Sequence, residues 1–485
     1  MRLKVLSTNL HIVNMRLRMP FRFGITTLTE LPHLFLSVQL EVDGRRTWGV
    51  AADGLPNKWF TKDPNTRYRD DIDDMLKVIR SACDIGVAAG PHASVFELWE
   101  RIYQAQIAWA GGWGYPPLLA GFGASLVERA MIDAFCRDQG VPFSTALRDD
   151  RLGLRLGRIH PELDAARPRD LLPPEPLRQI TVRHTVGLTD PLTDAEILDA
   201  DRVNDGLPQS LESCIRGYGL THFKIKLWGD MAKDAQRVRT VADVITRNSG
   251  AHFAFTLDGN ENFKAVEPFR AFWAALTSEP ALEGFLKKLI FVEQPLHRSV
   301  ALEESAMREF AAWQQRPPTI IDESDGTLTT ARQALSFGYA GTSHKNCKGV
   351  FKGIANACLI EHRRRADRSR PYVISAEDLT NVGPVALQQD LCVLANLGIP
   401  HAERNGQHYF KGLTMFPVEV QDAVLAAHPD LFRRHDAGFV TTKIDRGTLQ
   451  IASVTDHAFG AAAKFDPSRF MSADQWTYES LSDVG

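Results

Sequence analysis

The stretch "THFKIKLWGD", residues 221–230, places Lys224 and Lys226 one residue apart within an otherwise strand-like run. Side chains on a strand alternate between its two faces, so both lysines should point one way and Phe223 and Ile225 the other. Lysines on a solvated edge strand discourage sheet-to-sheet pairing, whereas two lysines in an enclosed site would supply positive charge or a base. Taken alone the stretch favours the edge strand, because lysine side chains are mostly exposed to solvent.

The segment around this stretch consists of short apolar runs alternating with helical patterns. The spacing between successive runs is roughly 25–40 residues, which is the rhythm of a (β/α)8 barrel. A doubly wound sheet would alternate in the same way, but it usually carries a Gly-rich phosphate loop, and the sequence shows none. The eight predicted strands are 180–188, 222–228, 252–260, 289–296, 318–324, 341–347, 372–378 and 398–404.

Three regions follow from this pattern. Residues 1–165 begin with two strand-like runs that are separated by a loop over "RMPFRFGITT". The second run contains the turn signal "DGRR", and a helix is predicted over 125–140. Residues 178–430 hold the predicted barrel, after a Pro-rich linker. Residues 431–485 return to strand-like sequence, and we expect them to pack back on the N-terminal region.

The composition is that of an ordinary globular protein. Of 485 residues, 44% are hydrophobic and 24% charged, and the formal net charge is −3, so no basic field exists for nucleic acid or an acidic membrane. No apolar run reaches the length of a membrane span, and no signal peptide is visible. The six cysteines are widely spaced without metal-ligand patterns, which favours reduced, buried thiols in a cytoplasmic protein.

Three successive predicted strands end in a carboxylate: Asp258, Glu293 and Asp322. The carboxyl ends of barrel strands build the active site, so these side chains should meet at one rim. Carboxylates gathered there would repel one another and resist desolvation. A hard divalent cation removes that cost, and the pattern therefore predicts a Mg2+ site, although any one acid alone would fit a salt bridge or a helix cap.

Lysines lie on both sides of this arc of carboxylates. Lys224 and Lys226 end the second predicted strand and Lys345 ends the sixth. Such an arrangement suits removal of the proton next to a carboxylate, with a neutral lysine as the base. We expect Lys226 to be the base and the Lys224 ammonium to lower its pKa by like-charge repulsion.

The constellation resembles the enolase superfamily, in particular its mandelate racemase and muconate-lactonizing enzyme branch, which uses lysine or histidine bases with Mg2+. The resemblance extends over most of the chain, including a capping domain in the N-terminal region. It therefore implies an enolase-like, modified TIM-type barrel with an α+β capping domain. The matching pieces, in family order, are "KIK" (224–226), "LDGNE" (257–261), "VEQPL" (292–296), "IDES" (321–324) and "HKNCKG" (344–349).

By this resemblance Asp258, Glu293 and Asp322 would bind Mg2+, and Lys226 and Lys345 would be acid/base residues on opposite faces of the substrate. Lys224 would stabilise the substrate carboxylate or enolate. A lysine on the sixth strand favours the muconate-lactonizing type of site, with Lys348 as an alternative second base. Further candidates are Asn260 near the metal, Glu323 orienting a lysine, Arg22 as an anion anchor, and Glu377, Asp378, His401, Glu403 and Arg404 as substrate contacts.

The resemblance implies a Mg2+-dependent isomerase or lyase: a racemase or epimerase, a dehydratase, or a cycloisomerase that abstracts an α-proton through a metal-stabilised enediolate. Its partner would be a small carboxylate substrate, and the chain would form a homo-oligomer. A metal-independent aldolase with a Schiff-base lysine is an alternative, but it leaves the three carboxylates unexplained. A non-catalytic barrel scaffold is another, but it has no need of so many desolvated charges.

Overall fold

The computed structural model describes residues 1–462 and 465–483. The chain opens with an antiparallel sheet of three long strands, β1 (Leu3–Phe23), β2 (Thr26–Val42) and β3 (Arg45–Gly54). Asp43 and Gly44 join β2 to β3 with φ of 48° and 83°. A two-residue turn with both φ values positive matches the twist of a hairpin, which confirms the turn predicted at "DGRR".

The loop predicted over residues 18–27 is mostly strand. β1 runs through Pro20 to Phe23, and only Gly24 and Ile25 separate it from β2. Proline has no N–H for the ladder, but the register of β1 against β2 is interrupted between Arg16 and Phe21, so no hydrogen bond is lost there. The extended hairpin carries Phe21 and Phe23 toward the second sheet.

Three helices cover this sheet: α1 (Tyr68–Ala88), α2 (Val95–Gly112) and α3 (Pro117–Gln139). Helix α3 is buried from Leu118 to Cys136 and ends at Gly140 in the left-handed conformation, which confirms the helix predicted over 125–140. It approaches β3 so closely that a Cβ at Gly49 would lie 2.1 Å from the Ala130 carbonyl oxygen. Only glycine fits at that crossing.

Two short helices, α4 (Phe143–Arg148) and α5 (Pro168–Leu171), lead to the second sheet. Its eight parallel strands confirm the eight predicted ones, although each ends earlier than expected. They are β4 (Gln179–Val186), β5 (His222–Lys226), β6 (Ala254–Asp258), β7 (Leu289–Glu293), β8 (Thr319–Ile321), β9 (Gly341–His344), β10 (Val373–Ala376) and β11 (His401–Glu403).

Helices connect successive strands of this sheet, as parallel pairing requires. They are α6 (Leu211–Tyr218), α7 (Met231–Ser249), α8 (Val266–Thr277), α9 (Glu283–Leu286), α10 (Glu304–Ala312), α11 (Thr330–Ser336), α12 (Val350–Ala366) and α13 (Ala386–Leu397).

The strands pair in chain order from β4 to β10, and β11 returns to pair with β4. Strands β10 and β11 are in contact, but within the described ranges no hydrogen-bonded ladder joins them. Side chains from β4 and β5 reach residues on or just after β10 and β11, so the sheet curves around a common interior. The structure thus has the strand order and direction of the predicted barrel, with one junction unpaired.

The C-terminal region contributes to both sheets. Thr448–Gln450 pairs antiparallel with β4, whereas Met471–Ser472 pairs with β1 of the first sheet. Among the helices described, none is long and apolar enough to cross a membrane. The remaining elements are α14 (Gly406–Tyr409), α15 (Val418–Ala427), β12 (Phe432–Arg434), β13 (Val440–Thr442), β14 (Ile444–Asp445), β15 (Thr448–Gln450), α16 (Ala452–Thr455) and β16 (Met471–Ser472).

Glu128 connects helix α3, which covers the first sheet, to helix α12, which covers the second. It lies fully buried on α3, and its carboxylate accepts the backbone N–H groups of Val350 at 3.0 Å and Phe351 at 2.6 Å. These are the first residues of α12, whose N–H groups have no partner within the helix. A side chain from the first unit therefore caps a helix of the second.

We expect Glu128→Ala to lower the free energy of unfolding by about 1–3 kcal/mol, because two buried N–H groups lose their acceptor. Denaturant unfolding of the full chain measures the change. Glu283→Ala is the control: it removes a carboxylate from a solvent-exposed ion pair with Lys287, which contributes little to stability. Equal effects of the two substitutions would contradict the bridging role.

Candidate active site

A pocket opens at the carboxyl ends of the parallel strands. One wall is apolar and comes largely from the N-terminal hairpin and the loop after β3. The floor is charged and comes from the strand ends. The apolar lining residues are Phe21, Phe23, Leu28, Pro56, Trp59 and Leu379, and the charged ones are Lys224, Lys226, Asp322, Lys345, Glu377, Asp378 and Glu403.

Lys224 lies at the centre of the charged floor. Its side chain is 1% exposed, and its ammonium is close to four carboxylates, three on strands β6, β7 and β11 and one just after β10. An isolated buried ammonium would be strongly disfavoured, and this coordination replaces the water that the charge has lost. The distances from Lys224 Nζ are 2.9 Å to Asp258, 2.9 Å to Glu293, 2.8 Å to Glu377 and 2.7 Å to Glu403.

Lys226 lies beside it and points to the same side, as the alternation in "KIK" predicts. Its ammonium is 2.6 Å from Asp258 Oδ2. Asp258 also accepts the backbone N–H of Asn260 at 2.8 Å, which folds the chain sharply after β6. Asn260 and Glu261 have φ of 41° and 63°, a strained conformation for residues other than glycine and one that is common at functional sites.

Lys345 reaches the pocket from the end of β9, four strands along from β5. Its ammonium is 2.8 Å from Asp322 Oδ2 and 2.6 Å from Glu377, and it lies 5.1 Å from the centre of the Trp59 ring. Lys348 lies behind Asp322 and donates to its other carboxylate oxygen at 2.6 Å. Lys345 therefore lines the pocket, and Lys348 is a supporting contact.

The carboxylates keep all three pocket lysines charged. Burial lowers the pKa of Lys226, and the Lys224 ammonium lowers it further, but Asp258, Glu403 and Glu293 together outweigh both and the pKa is raised. The expectation that Lys224 brings Lys226 toward a neutral pKa is therefore wrong for this arrangement. Burial opposes the charge of Lys224 and Lys345 too, yet their carboxylate neighbours hold both pKa values well above the ordinary one.

The carboxylates fit a divalent cation. Glu293, Asp322 and Glu377 each offer an oxygen, and the three oxygens lie within 4.8 Å of one another. Glu293 Oε2 and Asn260 Oδ1 are buried and have no hydrogen-bond partner. Unsatisfied hard oxygen donors beside carboxylates are what Mg2+ takes as ligands. Asp258, also predicted to bind the metal, is not one of these three residues. Its carboxylate contacts the Lys224 ammonium, which also contacts Glu293.

The weaker predicted contacts divide between the pocket and other places. Asn260 and Glu377 line the pocket. Glu323 is buried behind the rim and its pKa is raised to about 8 by burial and by Asp322, but it makes no described hydrogen bond to a lysine. The guanidinium of Arg22 stacks on Trp228 at 4.7 Å. His401 lies at the opposite end of its strand and contacts Arg183.

Sequence analysis missed an anchor that holds the loop after β3 over the pocket. Arg298 donates to the backbone carbonyls of Phe60 at 2.6 Å and Trp59 at 2.9 Å, and it pairs with the buried Glu261 at 2.7 Å. Lys62 adds an ion pair of 3.4 Å to Glu261 and a hydrogen bond to the Asn260 carbonyl. Glu261 lies in the motif "LDGNE", but the distance in sequence to Trp59 hides the contact.

No protein-family model and no curated protein matches this chain. Solved structures do match along nearly its full length. The muconate lactonizing enzyme from Pseudomonas fluorescens, complexed with muconolactone, has a TM-score of 0.60 and 15% identity, and the match covers 96% of this chain and 98% of that one. The N-succinyl Arg/Lys racemase from Bacillus cereus has a TM-score of 0.57 and 14% identity, and the match covers 93% of this chain and 97% of that one. The dipeptide epimerase from Enterococcus faecalis has a TM-score of 0.56 and 13% identity, and the match covers 94% of this chain and 99% of that one.

These similarities show that the chain has the fold of the mandelate racemase and muconate lactonizing enzymes, which confirms the resemblance based on the five motifs. Sequence identities of 13–15% do not show which substrate this chain binds or which reaction it catalyses.

We expect Mn2+, used as a paramagnetic substitute for Mg2+, to bind at the carboxylate floor. Asp322→Asn and Glu293→Gln should weaken binding by at least about tenfold, because each replaces a carboxylate ligand by a neutral amide. Comparing Asp258→Asn with Glu377→Gln identifies which carboxylate completes the site. Electron paramagnetic resonance of free Mn2+ measures the affinity.

Asp230→Asn is the control for this titration, because Asp230 is at the same rim but caps α7, and asparagine caps equally well. Unchanged Mn2+ affinity in both Asp322→Asn and Glu293→Gln would contradict a metal site here.

We expect Arg298→Ala to release the loop over residues 55–62, because two carbonyls and a buried carboxylate lose their donor. Hydrogen–deuterium exchange of its amides should become faster by on the order of tenfold or more. Arg239→Ala, which removes an exposed ion pair with Glu279, should leave this exchange unchanged. No difference between the two variants would mean that the loop is held by other contacts.

Proposed function

We propose that this protein is an enzyme that removes the α-proton of a small carboxylate substrate with lysine acid/base residues and Mg2+. The observation that carries the proposal is that Lys226 and Lys345 enter one pocket from strands β5 and β9, on either side of a carboxylate cluster. We include in the proposal a complete (β/α)8 barrel capped by the N-terminal unit, since this geometry puts the second and sixth strands across the axis from one another.

The chemistry is assigned to this chain's residues as follows. The α C–H bond breaks, its proton passes to Nζ of the lysine that has first released its own ammonium proton to solvent, and the electron pair enters the substrate carboxylate as an enediolate. A bound Mg2+ would supply positive charge to offset that of the substrate and of the floor carboxylates. Lys224, held by four carboxylates, keeps a fixed ammonium beside the developing charge.

Two lysines suit racemisation or epimerisation, in which one takes the proton and the other returns a proton to the opposite face. One lysine alone suffices for elimination or cycloisomerisation, so the pair supports an isomerase or a lyase. Asp258 and the Asp322–Glu377 pair are the immediate partners of Lys226 and Lys345. These carboxylates hold each ammonium in position and partly neutralise its charge.

The apolar wall supports a substrate with an aliphatic or aromatic substituent. Six apolar side chains face the charged floor, and Trp59 is only 7% exposed, so a polyhydroxylated chain would find few hydrogen-bond partners there. The substrate carboxylate would lie on the lysine and metal floor, and its substituent would lie under Trp59. That the chain assembles into a homo-oligomer stays a prediction.

Proton exchange in D2O tests the proposal directly. Carboxylates with apolar substituents, sugar acids, amino-acid derivatives and dipeptides are incubated with Mg2+ or with chelator, and mass spectrometry measures the deuterium gained at the α-carbon. We expect metal-dependent exchange with the apolar carboxylates. Lys226→Met or Lys345→Met should reduce it about 10²–10⁴-fold, the usual contribution of a positioned acid or base.

Lys233→Met, an exposed lysine of α7 near the same rim, is the matched control and should exchange at the wild-type rate. Exchange that survives chelation, together with trapping of substrate by borohydride, would overturn the proposal in favour of a Schiff-base lysine. Loss of exchange in Lys348→Met but not in Lys345→Met would move the second acid/base role to Lys348.

A further inference from the structure

A second cluster of ligating side chains lies outside the pocket, on the outer face of the curved sheet. His184 is on β4, between Arg183 and Thr185, whose side chains contact Glu377 and Glu403 in the interior. Side chains alternate along a strand, so His184 points the other way, toward the helix layer. There it meets Cys214 of α6 and His408 of α14.

We propose that His184, Cys214 and His408 form a binding site for a thiophilic divalent ion of the zinc class, distinct from the Mg2+ site. A nitrogen of each histidine and the Cys214 sulfur all lie within 4.8 Å of one another, and all three side chains are at least 98% buried. Sulfur and imidazole donors are soft or borderline ligands, which select zinc over the hard cation expected at the carboxylate floor.

The distance between Cys214 and His408 matches a shared ion. Cys214 Sγ is 3.6 Å from His408 Nδ1. Zinc bonds of about 2.3 Å to sulfur and about 2.0–2.1 Å to nitrogen, at a tetrahedral angle, put the two ligand atoms about 3.6 Å apart. The rings of His184 and His408 meet edge-to-face with centres 4.8 Å apart, so the His184 ring is near enough for its nitrogen to complete the set.

The hydrogen bonding of the cluster is incomplete without an ion. His184 Nδ1 and His408 Nε2 are buried and have no hydrogen-bond partner. A thiol–imidazole hydrogen bond alone would leave both nitrogens unsatisfied, which is rare in protein interiors. An ion bound by His184 Nδ1 satisfies the first of them directly.

Asp190 is a carboxylate near the second nitrogen, His408 Nε2. Its Oδ2 lies 3.9 Å from His408 Nε2, on the side of the ring away from Cys214, and is held by the Tyr409 hydroxyl at 2.8 Å and the Gly187 N–H at 2.8 Å. Histidines that bind a metal through one nitrogen usually donate the other N–H to a carboxylate. A Cys214 thiolate and Asp190 together also balance the two charges of the ion.

The site adjoins the wall of the pocket through the next residue along the chain. The ring of Tyr409 packs against Phe21 with centres 4.3 Å apart, and Phe21 lines the pocket. An ion that fixes His408 therefore also fixes the position of Tyr409 and its contact with the N-terminal hairpin. We assign the site a structural role.

The test uses Co2+, whose bond to a thiolate gives a near-ultraviolet charge-transfer band. Because the cluster is buried, the full chain is unfolded with chelator and refolded with one equivalent of Co2+ and an excess of Mg2+ to occupy the carboxylate floor. We expect about one Co2+ per chain with the thiolate band. Asp190→Asn should weaken Co2+ binding roughly 10–100-fold, as loss of a carboxylate behind a ligating histidine does.

Cys214→Ser should abolish the band, and His184→Gln should reduce the affinity. Cys136→Ser changes an equally buried cysteine on α3 and should keep the band. His33→Gln controls for the histidine change, because His33 is buried with both ring nitrogens unpartnered. It lies on β2 of the first sheet, whereas Cys214 lies on α6, between strands of the second sheet. Circular dichroism verifies that each variant has refolded.

The wild-type protein also gives an answer that depends on no variant. X-ray absorption of the refolded Co2+ or Zn2+ protein should show one sulfur and two imidazoles bound to the ion. A shell of oxygen atoms only, or a thiolate band that persists in Cys214→Ser, would overturn the proposal.

Discussion

The ammonium of Lys224 holds together the carboxyl ends of strands that would otherwise repel one another. It lies within 3 Å of carboxylates from β6, β7, β11 and the residue after β10. Gathering four acids in a buried mouth is costly, and one central positive charge offsets only part of that cost. The unpartnered oxygen on Glu293, among these carboxylates, leaves the mouth suited to a further cation.

The same carboxylates decide how the other lysines behave. Lys226 and Lys345 are as buried as Lys224, and burial alone would make a lysine neutral. Asp258, Asp322 and Glu377 reverse that effect and keep both ammonium groups charged. Under the proposed function, a lysine base in this pocket depends on the charge of its carboxylate partner being engaged elsewhere, which would couple cation binding to proton transfer.

The pocket exists only because two units of the chain meet. Its floor belongs to the parallel sheet, and its apolar wall belongs mostly to the N-terminal hairpin and the loop carrying Trp59. Arg298 and Glu261 fasten that loop, Glu128 caps α12 from α3, and Tyr409 packs against Phe21. These contacts are long-range and mostly polar. They fix where the apolar wall lies relative to the charged floor, and the hydrophobic pattern along the sequence does not reveal them.

The sequence by itself determined the eight parallel strands, the turn at Asp43–Gly44, the helix ending at Gly140 and the side on which Lys224 and Lys226 lie. Each of these follows from a local period or from a residue with a special backbone conformation. It also predicted that carboxylates and lysines would collect at one rim, because parallel strands end together. It placed a loop where β1 continues past Pro20, since the interrupted register that tolerates a proline depends on the partner strand.

Only the tertiary structure decided which charges pair. The grouping of Glu377 with Glu293 and Asp322, the raised pKa of Lys226, the position of Lys348 behind Asp322 and the Arg298 anchor all depend on distances between residues far apart in the chain. The cluster of His184, Cys214 and His408 has no spacing that marks it in sequence, because it comes from one strand and two separate helices. Coulomb energy and hydrogen bonding depend on separation in space, and the fold alone sets that separation.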